Sequence, residues 1–195
     1  MKTAHSLAAA AALLLTGSAH AAYTAYIYES SGNVLASGSG SLNLAGTVGA
    51  GVGATVALMA PTFGLLHTGV AGSADRYANI VGPVAFGPGA LVPASSSSGD
   101  LVGIRGVVGE FFVPTGYVSG APLSSSAVWN ATTIAALGLT PGSYVWTWAG
   151  DTFTVNVGAP PPGPASIPTL SGAALGALAL LLGLLARASK RFRRR

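Results

Sequence analysis

Residues 22–166 of this 195-residue chain contain one histidine, His67, and five carboxylates, Glu29, Asp75, Asp100, Glu110 and Asp151. These are the groups that could do chemistry. A nucleophilic triad would need His67, a distant serine and one of Asp75, Asp100 or Asp151. No Gly-x-Ser-x-Gly elbow accompanies them. A His-based zinc site would need a second histidine in the same stretch. A glycosidase would need two acids held across a cleft, and no two of the five are close in sequence. Asp100, behind Ser95, Ser96, Ser97, Ser98 and Gly99, offers one calcium ligand where several are required. The chain has no cysteine, which removes thiolate zinc sites, iron–sulfur clusters and cysteine nucleophiles. The carboxylates therefore read as solvated loop residues and His67 as a loop or half-buried side chain. The expectation is a protein that is not an enzyme, with no catalytic residue, metal or cofactor. An atypical extracellular hydrolase built on His67 is the weaker alternative.

Two further patterns invite a ligand. Gly49, Gly51 and Ala54 match the Gly-x-Gly-x-x-Ala dinucleotide form. The apolar run behind it stops at Pro61, too early for the helix that motif needs, so a tight loop or small-residue strand is the better reading. Tyr144, Trp146, Trp148, Phe111 and Phe112 are flat aromatic side chains of the kind that stack on sugar rings. Trp146 and Trp148 are the candidates for such a surface. Tyr144, Trp146 and Trp148 share one face of a predicted strand, however, which favours a core role.

The elements that would position these residues are short strands. Tyr23, Tyr26, Ile27 and Tyr28 are strand-forming types. Ser30, Ser31, Gly32 and Asn33 form a turn cluster. In residues 34–44, serine and glycine alternate and Leu42 and Leu44 follow at period two, which predicts an edge strand. Further strands are expected at residues 77–81, 101–105, 110–113 and 127–129. The clearest element is a final hairpin. Tyr144, Trp146 and Trp148 alternate with Val145 and Thr147, then Phe153, Val155 and Val157 alternate with Thr152, Thr154 and Asn156. Residues 130–139 predict a short helix capped by Asn130 and ended by Gly138. The fold class is mainly β: a single β-sandwich or irregular β-barrel-like domain over residues 22–157.

Both ends read as addresses. Lys2, the apolar residues 6–15 and the small-x-small triplet Ala19-His20-Ala21 form a cleaved signal peptide over residues 1–21, rather than a buried N-terminal helix. Residues 158–166 hold four prolines and form an extended linker. Residues 170–186 carry no charge and as a helix would extend about 25 Å, enough for a transmembrane segment. Arg187, Lys190, Arg191, Arg193, Arg194 and Arg195 follow. Such a cluster stays on the cytoplasmic side, which leaves residues 22–157 outside the cytoplasm. Nucleic-acid binding by this cluster is disfavoured by the apolar run that adjoins it.

Ile167, Pro168, Thr169 and Leu170, the apolar run and the terminal arginines resemble, as a set, the C-terminal sorting signals of exosortase substrates in Gram-negative bacteria. Ile-Pro-Thr-Leu at 167–170 is similar to the IPTL-CTERM class, a relative of PEP-CTERM. Residues 113–120 and 139–148 are similar to segments found upstream of such signals. The resemblance implies insertion into the membrane, processing by an exosortase-type enzyme and transfer to the cell surface or extracellular matrix. The implied partners are the secretion translocon, signal peptidase, the sorting enzyme, the membrane and exopolysaccharide. The two terminal signals and the missing catalytic set lead to the expectation of a structural or adhesive matrix role, with a carbohydrate-binding module as the alternative and the hydrolase as the weaker one.

The formal net charge of +4 belongs to these addresses. Between residues 22 and 166 only Arg76 and Arg105 face the five acids, so this stretch is acidic and calls for no nucleic acid.

Overall fold

The computed structural model describes residues 22–163. The cleavage residues Ala19 and Ala21, the motif Ile167 to Leu170, the apolar segment 170–186 and the basic tail from Arg187 to Arg195 lie outside the described residues. Among the described residues, no helix is long and apolar enough to cross a membrane.

Thirteen strands build two sheets. In chain order they are β1 (Ala22–Ser30), β2 (Asn33–Ser41), β3 (Val48–Thr55), β4 (Leu58–Ala60), β5 (Leu65–Thr68), β6 (Gly72–Ala78), β7 (Val92–Pro93), β8 (Ser96–Gly99), β9 (Val102–Arg105), β10 (Glu110–Pro114), β11 (Pro122–Trp129), β12 (Gly142–Trp148) and β13 (Asp151–Val157). The first sheet has the order β12-β13-β1-β2-β11-β8, the second β3-β6-β10-β9-β5-β4-β7. The chain is mainly β, and the shared core of the two sheets is consistent with a β-sandwich.

Alternation of side chains explains the core. Ile27 pairs with Ala36, and Ala36 with Ala127, while Tyr23 pairs with Phe153 and Phe153 with Trp146. All are buried on one face of the six-stranded sheet. The facing sheet contributes the row Tyr77, Phe111, Ile104, Leu66 and Met59, related by register across five strands. The ring of Phe111 stacks on Trp148 with centroids 4.9 Å apart, joining the two sheets. Burial of such side chains contributes about 1.5–3 kcal/mol each before entropy is counted.

The final hairpin forms as its alternation predicts, with Trp146 opposite Phe153 and Trp148 opposite Asp151. β1 pairs with β13 in parallel, Ala22 opposite Thr152 and Ile27 opposite Val157. The start of the domain and its last strand residue therefore lie at opposite ends of this strand pair.

Two expected elements differ. Residues 34–44 do not make an edge strand, because β2 is interior, between β1 and β11. Its small residues make room for a neighbour: a Cβ on Gly38 would lie 2.2 Å from the Tyr23 phenol oxygen. Residues 130–139 form turns instead of a helix. Ala131 takes a left-handed φ of 50°, which breaks the helix at its start. The Ala131 N–H donates to Asn33 Oδ1 and the Ile134 N–H to Glu29 Oε1, so outside side chains take over the capping role expected of Asn130. Ile134, Leu137 and Leu139 are still buried.

Candidate functional site

The second sheet cannot be flat. β3 and β4 are five strand positions apart, which at about 4.8 Å per strand is roughly 24 Å. Yet only two residues separate β3 from β4, and the Cα of Thr55 can reach that of Leu58 over at most about 11 Å. The sheet therefore rolls over on itself, helped by a register shift between Gly49 and Gly51 in β3. This brings the Thr55 hydroxyl to 2.7 Å from His67 Nδ1.

The roll forms an open cavity of about 270 Å³ on the face turned away from the six-stranded sheet, lined by Thr55, Leu58, His67, Arg76, Arg105 and Phe112, among others. Register explains the grouping. Arg76 pairs with Phe112, Phe112 with Gly103, Gly103 with His67 and His67 with Leu58, so these residues share one row and one face. In the adjoining row Glu110 lies directly opposite Arg105. Gly103 leaves the space that the imidazole fills, since a Cβ there would lie 2.2 Å from His67 Cδ2.

His67 is not a loop or half-buried side chain. It sits in β5, 4% exposed, with its ring 4.3 Å from that of Phe112. Burial, with a smaller contribution from the Arg105 charge, pushes its pKa down to about 4. It is neutral at ordinary pH. The Thr55 hydroxyl and His67 Nδ1 share a hydrogen bond whose direction follows the ring tautomer, and the same hydroxyl lies 3.4 Å from the Val56 carbonyl. Nε2 is buried and has no partner, and the same holds for Arg76 Nε. Arg76 otherwise donates through Nη2 to the Ala50 carbonyl at 2.8 Å, and its Nη1 is 3.9 Å from Glu110 Oε2.

The carboxylates are not simply solvated. Asp75 accepts from the Gly116 N–H, Asp100 from the Ser124 N–H, Glu29 from the Ile134 N–H, and Asp151 from the N–H groups of Asn43 and Thr152. Except for Thr152, each donor is distant in sequence, so these acids tie loops to strands. Asp100 thus serves Ser124. Among the described residues, no group of three or more His, Asp or Glu side chains could hold a metal ion.

Trp146 and Trp148 both make core contacts, in line with their shared strand face. Trp146 is fully buried, and its indole N–H donates to the Pro83 carbonyl at 2.9 Å. A ring so enclosed offers no face to a sugar. Trp148 is half-buried, stacks on Phe111 and donates to the Asn43 carbonyl at 2.7 Å. A different polar surface lies on the outer face of the six-stranded sheet. There the register aligns Tyr26, Ser37, Ser126 and Ser98 in one row, and Ser39 with Ser124 in the next. They line a groove of about 310 Å³, with Pro161 at its wall. Ser98 and Ser126 are 2.8 Å apart, and the buried Ser37 hydroxyl has no partner.

Residues 165–195 match the family model described as the IPTL-CTERM motif. This supports a C-terminal sorting signal of the exosortase-substrate class, and with it export and processing by an exosortase-type enzyme. No curated protein and no solved structure matches the chain.

Proposed function

We propose that this chain is a non-enzymatic exported protein, sorted by an exosortase-type system to the cell surface or extracellular matrix, where its β domain has a structural or adhesive role. The observation that carries the reading is the match of residues 165–195 to the sorting motif, behind a β-rich domain. The division of charge supports it: the terminal cations suit a cytoplasmic stop, and residues 22–166 are acidic. The translocon and signal peptidase would act at Ala19 and Ala21, and the membrane would hold residues 170–186 before processing. The use of Asp75, Asp100, Glu29 and Asp151 as backbone acceptors supports a non-enzymatic role, since it commits them to holding loops.

The test is to tag the domain and replace Ile167, Pro168, Thr169 and Leu170 with alanine. Loss of processing and of surface display is expected. Unchanged processing and display would sink the proposal.

A second reading, an extracellular carbohydrate-binding module, is favoured by the serine-lined groove beside Tyr26. Neutral hydroxyls and one aromatic suit a neutral glycan. A polysaccharide pull-down with Tyr26→Ala distinguishes the two readings.

A further inference from the structure

The described residues contain two cations, Arg76 and Arg105, and one histidine, His67, and all three line the same 270 Å³ cavity. Sequence does not group them, since they lie on β6, β9 and β5; the register and the roll of the sheet do. Among the described residues, the Arg76–Glu110 contact is the one salt bridge, so Glu110 balances one arginine and a positive charge remains at Arg105. Two buried nitrogens, His67 Nε2 and Arg76 Nε, have no hydrogen-bond partner.

We propose that this cavity binds the carboxylate group of a small acid, with the Arg76 and Arg105 guanidinium groups as its donors, a uronic acid being the class of unit that fits. Three features define the ligand. It is an anion, because the cavity has donors and spare positive charge. It is a carboxylate in preference to phosphate, because one uncompensated arginine balances a single negative charge, and Glu110 beside it repels a second. Guanidinium forks match a planar carboxylate in geometry. It is about one sugar ring in size, because 270 Å³ lies at the small end of ligand pockets. Leu58 and Phe112 supply the apolar wall that a ring needs. The proposal goes beyond surface sorting and does not depend on it.

A carboxylate of this kind could come from a free acid or from an acidic unit of a polysaccharide. Calorimetric titration of the full chain in detergent micelles distinguishes them, using galacturonate, trigalacturonate, galactose and inorganic phosphate as probes. Saturable binding of galacturonate is expected, with none for galactose and weaker binding of phosphate. Trigalacturonate binding would assign the site to acid units within a chain; galacturonate binding alone would assign it to free acids. Arg105 is exposed and its side chain makes no hydrogen bond or ion pair, so Arg105→Gln tests the charge without threatening the fold. It should weaken galacturonate about tenfold, the loss of one charge-assisted contact. The His67 ring resonances should shift on titration. No saturable binding of either uronate, binding unchanged in Arg105→Gln, or tighter binding of phosphate would overturn the proposal.

Discussion

The Tyr23 phenol oxygen lies 2.6 Å from Ser125 Oγ, across 102 positions of sequence. Ser125 Oγ is in turn 2.5 Å from Thr68 Oγ1, whose hydroxyl donates to the Val102 carbonyl. Tyr23 and Ser125 belong to the six-stranded sheet and Thr68 to the seven-stranded one. This buried hydroxyl chain therefore links the sheets and fixes how they face each other. Burial pushes the Tyr23 pKa up to about 12, against smaller opposing effects of the Ser125 and Thr68 hydroxyls.

That shift predicts an alkaline weakness. The unfolded phenol ionises near 10 and the folded one near 12, so the contribution is complete below pH 10 and is lost as pH rises from 10 through about 12. The loss amounts to roughly 2–3 kcal/mol. Denaturant melts against pH should show it in the parent chain. Tyr23→Phe should be about 1 kcal/mol less stable at pH 7 and have a flatter profile above pH 10.

Gly38 lies beneath the Tyr23 ring. Gly38→Ala places a methyl group where the phenol oxygen now is, and a buried tyrosine bonded to Ser125 cannot step aside cheaply. A loss of about 1–3 kcal/mol is expected from such overpacking. The double variant Gly38→Ala with Tyr23→Ala should show strong coupling in thermal melts.

His67 carries the opposite linkage. Its pKa falls from 6.5 to about 4 on folding, so its contribution is complete above pH 6.5 and is lost as pH falls through about 4. The proton favours the unfolded state by about 3 kcal/mol at the end of that window. The His67 imidazole resonances of the folded chain should not titrate between pH 7 and 5. The stability profile of His67→Gln should be flatter over the same range.

How much of this could be read from the sequence depends on whether the cause is local. The Tyr144 to Val157 hairpin was legible because alternation at period two marks one buried face. The C-terminal sorting signal was legible because its motif and charge are read along a line. The place of β2 was not, since a serine–glycine alternation carries no sign of the Tyr23 ring that crosses Gly38. The helix expected at residues 130–139 lost to contacts from Glu29 and Asn33, about a hundred positions away. The cavity of His67, Arg76 and Arg105 was hidden for the same reason: four strand pairings and a rolled sheet assemble it. A hint was present in composition, because these are the sole basic side chains of residues 22–166. Trp146 and Trp148 attracted attention by residue type, and their shared strand face already pointed inward.

The central claim is delivery through the C-terminal signal, and mass spectrometry of the mature C-terminus tests it most directly. Protein recovered from the cell surface should end close to Ile167, Pro168, Thr169 and Leu170 and lack the tail from Arg187 to Arg195. The variant with alanine at those four positions should keep that tail and stay with the membrane. A surface-displayed parent chain that still ends in Arg195, or identical C-termini in parent and variant, would contradict the account.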